Sequence, residues 1–355
     1  VSDDKTHYPK HPIIRLMLKI SLRYELIAMG IGLFLYVAFL AIAIFTENFI
    51  DVILSPMHLM QIIFSIDIML GLLFLKIFTD QFINRFNETQ LCIAADPQKF
   101  QKFMIETLTK FCDFKALIIA SPFIAISICS IYFYITPTLP NTLFPVKPIS
   151  ILWIYFSLVE FSLIMLSLLG IGVWIGIQVI CAFKNLSRHF TITVNQFNPV
   201  SFGGLKPLVS LILMGTIMYS IVVALAFPVV SYVVYYVQNF YSSLLPLPII
   251  GLSIVVLSIF SYFVVPLYFI HIIIVKFKDD VLNNISMKIK NHFKDFKGNN
   301  NHVASGRNVS LEGIFLLMLY SHVEKMRSWP IDKSIMTQAF LAFASPVITF
   351  IIAHL

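Results

Sequence analysis

Seven long apolar runs, separated by polar connections that are short on one side and longer on the other, set the plan of this chain. They lie near Glu25–Phe45, Val52–Phe78, Phe114–Ile135, Ile149–Phe183, Leu208–Val237, Leu244–Val275 and Lys333–Leu355. Each reaches the ~20 residues an α-helix needs to cross a bilayer. Spans four, five and six exceed it, so they must tilt or project into water. Between the runs, apolar and charged residues mix at helical spacing. Ile13, Leu16, Met17 and Ile20 predict a short amphipathic surface helix over His11–Tyr24. Asp96–Phe111 reads as a separate helix beginning at Asp96-Pro97, and Lys276–Lys297 as a polar continuation of span six. Gly298–Arg307 is a polar linker, and Val309–Trp329 a further helix ended by Trp329-Pro330. Asp332 is placed to cap the last span. The pattern predicts an all-α, polytopic membrane bundle in four parts: residues 1–24, 25–275, 276–330 and 331–355.

Composition agrees with that plan. Of 355 residues, 58% are hydrophobic and only 12% charged, with mean hydropathy +0.87. A soluble core of this length needs far less apolar surface. The net charge of +7 is therefore a matter of topology before nucleic-acid affinity, and no nucleic-acid partner is expected. Placing the N-terminus inside puts every Lys and Arg except Lys147 on the cytoplasmic side. The positive-inside rule then predicts a cytoplasmic N-terminus, an outer C-terminus and a multi-pass protein of the cell membrane. Val1–Tyr24 lacks a short apolar core followed by a small-residue cleavage site, so no removable leader is expected. Cys92, Cys112, Cys129 and Cys181 have no metal-site spacing, and a disulfide framework is not expected.

Chemistry inside the membrane rests on few groups. Asp67 in span two and Glu160 in span four each lie roughly 20 Å from the outer end of their helix at 1.5 Å per residue. Intramembrane carboxylates are costly and are paired, protonated or turned to water. Two readings stand: a shared cation or proton site, or two separate neutral, hydrogen-bonded carboxyls. In the last span, Ser334, Gln338, Ala342, Ser345 and Thr349 fall on one line of the helix. Such a row either lines a pore around an axis or packs against neighbouring helices. Gly172 and Gly176 form G-x-x-x-G and predict a close helix contact. His271 reads as an interfacial side chain, and Pro228 and Pro266 as kinks. No H-E-x-x-H, G-x-S-x-G, Walker loop or paired C-x-x-C occurs, so neither an enzyme, nor a metal, nor a cofactor is expected.

Seven spans with this orientation, short outer loops, long inner helices and a last element split at Trp329-Pro330 resemble the seven-transmembrane ion channel superfamily. That superfamily includes insect odorant and gustatory receptors. The resemblance is one of topology: the insect T-Y-x-x-x-x-x-Q-F signature is absent, Gln338 being followed by Ala339. It implies a tetramer assembled through Val309–Trp329, with Ser334–Thr349 lining a cation pore. Separately, Asn198-Pro199-Val200-Ser201-Phe202-Gly203-Gly204-Leu205 is similar to the H-P-D-x-x-G-G-L loop of uncharacterised prokaryotic membrane proteins. It is expected to form the turn into span five. The expected function is thus an oligomeric cation channel with room for a small apolar ligand in the outer half of the bundle. The rivals are a secondary transporter using Asp67 and Glu160, and a non-conducting scaffold or sensor.

Overall fold

The computed structural model describes residues 23–45, 50, 53, 56–90, 97–111, 166–190, 204–238, 247–298 and 311–354. Among them the regular elements are all helices: α1 Tyr24–Phe45, α2 Pro56–Thr89, α3 Pro97–Phe111, α4 Leu166–His189, α5 Lys206–Gln238, α6 Leu247–Gly298, α7 Leu311–Glu324 and α8 Lys333–His354. The surface helix ending at Tyr24, span three, the first part of span four and the linker after Gly298 lie outside the described residues. Among the described residues, four stretches are long and apolar enough to cross a membrane: Tyr24–Phe45, Gln61–Thr89, Lys206–Leu225 and Val256–Asn291.

α1 shows how little of a membrane helix a neighbour must cover. Its buried residues, Tyr24, Ala28, Gly32, Leu35, Phe39 and Ala43, recur every three or four positions and form one stripe. Leu33, Phe34 and Phe45 on its other faces are exposed, as they can be in lipid. The stripe meets α2 at Gly32, where a Cβ would lie 2.9 Å from the Ser65 carbonyl oxygen. The Tyr24 hydroxyl donates to the Leu72 carbonyl at 2.7 Å, and Lys76 bridges Glu25 (3.4 Å) and Asp80 (3.2 Å).

α5 is the central post, packed against α8, α2 and α6. Its entry explains part of the glycine motif: Gly204 has φ 97°, a left-handed conformation that favours glycine. Leu205 then turns inward, fully buried, and its carbonyl accepts from the Leu208 and Val209 N–H groups. Pro207 sits in the first turn, where no N–H is required of it. The end of α2, α3 and the end of α4 are joined by phenylalanines. Phe82 stacks on Phe86 at 4.3 Å and meets Phe111 edge-on at 4.8 Å, while Phe103 contacts Phe190 at 5.2 Å.

α6 runs unbroken for 52 residues, through Pro266 and past the boundary of the apolar run near Val275. Its far half has a small core of its own with α7: Ile285, Leu316 and Val323, flanked by Leu282 and Leu319. α7 stops at Glu324, five residues short of the Trp329-Pro330 break expected from sequence. Lys278 of α6 accounts for the early stop. Its ammonium donates to the Glu324 carbonyl (2.5 Å) and the Met326 carbonyl (3.3 Å), which no later helical N–H then has to satisfy. His271 completes the elbow, donating from Nδ1 to the Ser328 carbonyl (2.9 Å) and stacking on Trp329 (4.2 Å).

Candidate functional site

α8 begins as its sequence predicts. Asp332 caps it, its Oδ1 accepting from the Ile335 N–H at 2.8 Å. The polar row on the helix then divides. Ser334 and Gln338 are exposed, and the Gln338 amide donates to the Ser334 hydroxyl at 3.2 Å. Ala342 is 5% exposed, and Ser345 and Thr349 are half-buried. The five residues therefore do not form one open face within the chain: the first two are free of it and the middle is covered by α5.

Pro346, to which no role was given from sequence, explains the covered part. A proline has no N–H for the carbonyl four residues earlier, which here is Ala342. Two hydroxyls take its place. Ser220 of α5 donates to the Ala342 carbonyl, and Ser345 donates to it at 3.2 Å. The two hydroxyl oxygens are themselves 3.1 Å apart. A carbonyl left bare between packed helices is expensive, so this clasp supplies the partner that Pro346 removes. Thr349 continues the pattern along α8, donating to the Ser345 carbonyl at 2.8 Å.

Asp67 lies in α2, and Glu160 lies outside the described residues, so the expected pair is not seen together. Asp67 is 1% exposed, and neither carboxyl oxygen has a hydrogen-bond partner among the described residues. The Ser65 hydroxyl is likewise buried without a partner, but two residues along a helix place it on the opposite face. His58 is engaged elsewhere, its Nε2 2.7 Å from the Tyr36 hydroxyl. Among the described residues no group of three His, Cys, Asp or Glu side chains could hold a metal ion.

The glycine pair of α4 makes its close contact inside the chain. A Cβ on Gly176 would lie 2.9 Å from the Tyr262 ring, and one on Gly172 would meet Tyr219 at 3.8 Å. Gly215 of α5 makes room for the same tyrosine: a Cβ there would lie 2.5 Å from the Tyr262 hydroxyl and 2.7 Å from Phe78. On either side of these tyrosines the helices leave space. One cavity, about 100 Å³, lies among α2, α4, α5 and α6, bounded by Gly71, Phe74, Phe78, Gly172, Tyr219 and Tyr262. A second, about 170 Å³, lies against α4 and α6 and shares Gly172 and both tyrosines. Tyr219 is held by Ser258 of α6, oxygen to oxygen 3.2 Å. Sequence reasoning named neither tyrosine, because nothing in their local pattern separates them from other aromatic residues of spans five and six.

With this geometry in hand, comparison with known proteins adds no identity. No protein-family model matches the chain, and no significant match is found among curated proteins or solved structures.

Proposed function

We propose that the chain is one subunit of an oligomeric, cation-conducting channel of the cell membrane, a tetramer in the favoured arrangement. In this reading it crosses the bilayer seven times, with the N-terminus inside, the C-terminus outside and α8 toward the axis. It has no enzymatic activity. One observation carries the reading: the uncovered Ser334–Gln338 pair at the start of α8 directly follows the uncovered apolar face of α7. An amide on a bilayer-crossing helix needs water or a polar partner. Ile314, Phe315, Leu317 and Met318 of α7 need an apolar one, and Met318 is 68% exposed. Copies of the chain around an axis supply both, because each presents the same two surfaces. The pore lining then begins with Ser334 and Gln338, while Ala342 and Ser345 serve the contact with α5. The test is conductance of purified protein in planar bilayers. Gln338→Leu and Ser334→Leu each reduce the unitary current at least severalfold; unchanged currents in both variants overturn the reading.

A second reading, secondary transport, is favoured by one observation of its own: the Asp67 carboxyl has no hydrogen-bond partner among the described residues. A carboxyl that binds and releases a cation or proton during a cycle would stand without a fixed partner in one state. Here Asp67→Asn abolishes gradient-driven uptake in proteoliposomes while leaving the protein assembled. Uptake that persists in Asp67→Asn removes this alternative.

A further inference from the structure

The elbow between α7 and α8 gathers cations that the chain does not neutralise. Lys325, Arg327 and Lys333 are exposed and form no ion pair among the described residues. Lys278 adds a fourth charge. Its ammonium meets the Glu324 and Met326 carbonyls and, among the described residues, no carboxylate. Two carboxylates stand against these four. Glu324 is exposed, and Asp332 is half-buried with one oxygen committed to the α8 cap. Lys276, Asp279 and Asp280 lie roughly 100–200° round α6 from Lys278, on the side turned away from α7.

Next to the charge come an aromatic ring and an apolar row. Trp329 stacks on His271 at 4.2 Å and still presents an exposed edge. Indole rings collect at the headgroup level of bilayers. On α8, Lys333, Met336 and Phe340 fall within about 60° of one another, and all three are exposed. Their side of the helix is opposite Ser334 and Gln338 and clear of the buried Ile335, Ala339 and Ala342. Phe343, at the edge of the same side, meets Phe260 and Phe263 of α6 at 6.0 and 5.8 Å, so α6 bounds the row. Cations, an indole and an apolar strip thus succeed one another along a single path.

We propose that this elbow binds an anionic glycerophospholipid of the adjoining leaflet. Arg327 and Lys333 take the phosphodiester, with Lys325 beside them, Trp329 lies at the level of the glycerol, and one acyl chain follows Met336 and Phe340. Excess positive charge recruits the phosphate. A zwitterionic lipid brings its own cation, which the same side chains repel. A soluble phosphate gains nothing from the apolar row. The charged half of the site stands on the exposed cations alone, and the acyl half rests on the proposed crossing of α8.

The probes are dioleoylphosphatidylglycerol and dioleoylphosphatidylcholine, which share their chains and differ in headgroup charge. Binding to the detergent-purified full chain is read by native mass spectrometry. The wild type prefers the glycerol lipid at least tenfold. Arg327→Gln combined with Lys333→Gln brings the two affinities within about threefold, since a basic residue at an anionic surface is worth about fivefold. Lys99→Gln with Lys102→Gln removes equal charge from the exposed side of α3 and leaves the preference intact. If the elbow variant does not fold, Lys325→Gln with Arg327→Gln takes its place. Equal binding of the two lipids by the wild type overturns the site. So does a preference that survives the elbow substitutions, or one that the α3 substitutions reduce as much. Glycerophosphoglycerol, the headgroup without chains, competes only weakly; competition at the concentration of the whole lipid would make this a phosphate site and overturn the lipid. Conductance without lipid preference overturns the lipid site alone, and lipid preference without conductance overturns the channel alone.

Discussion

Asp67 concentrates the residue-scale problem of this chain. A carboxyl withdrawn from water without a partner opposes folding by about 1–3 kcal/mol even when neutral. Asp67→Leu, which keeps the branched shape of the side chain and discards the polar atoms, should raise the thermal midpoint of the detergent-solubilised protein, the equivalent of about 1–3 kcal/mol. A lower midpoint would mean that the carboxyl has a structural partner. That Asp67 is unusual was legible from sequence, since a carboxylate in a long apolar run stands out. That it has no hydrogen-bond partner among the described residues was not, because the helices that could reach it lie far along the chain. Gly204 is the opposite case. The Gly-Gly of its loop announced a turn, and the structure adds the reason for the second glycine, a φ of 97°.

At the scale of the element, hydrophobic length was a good guide to where helices start and a poor one to where they stop. α1, α5 and α8 match their apolar runs to within a few residues. α2 runs on to Thr89, because an apolar-to-polar change marks the end of lipid, not of helical hydrogen bonding; α6 runs to Gly298, as the helical spacing over Lys276–Lys297 predicts. The early end of α7 was hidden for another reason: it depends on Lys278, a residue of a different helix. The clasp on α8 teaches the same lesson. Pro346 leaves the Ala342 carbonyl without its helical donor, a consequence not drawn from sequence, and only the fold places Ser220, 122 residues away in sequence, against it. Ser220→Ala should cost about 1–2 kcal/mol by leaving that carbonyl a single, longer donor. Pro346→Ala restores the helical N–H, so Ser220→Ala in that background should cost measurably less. Thermal unfolding of the two single variants and the double variant checks this as a cycle.

At the scale of the whole molecule, α1 and α7 are two of the helices that leave apolar surface uncovered among the described residues. α1 exposes Leu33, Phe34 and Phe45 along a helix that the bilayer accounts for. α7 exposes Phe315 and Met318 on a helix packed against the far half of α6, and the proposed assembly accounts for them. Phe315→Glu combined with Met318→Lys should therefore reduce the oligomer to single subunits by native mass spectrometry, with helical content unchanged. An oligomer of undiminished size would place the subunit contact elsewhere. The bilayer face could be read from composition. The α7 face could not, because Val309–Trp329 mixes charged and apolar residues, and only burial separates the side that meets α6 from the side that does not.

The unbroken run of α6 has a mechanical consequence. From Pro266 to Gly298 it extends about 48 Å at 1.5 Å per residue, so a swing of only ~5° at the proline would carry the far tip through roughly 4 Å. α7 rides on that arm and Lys278 ties it there, so the arm would drag the elbow leading into α8 along with it. A disturbance the size of a ring flip beside Tyr262, one turn before the proline, would thus be magnified into a displacement the width of a strand of chain.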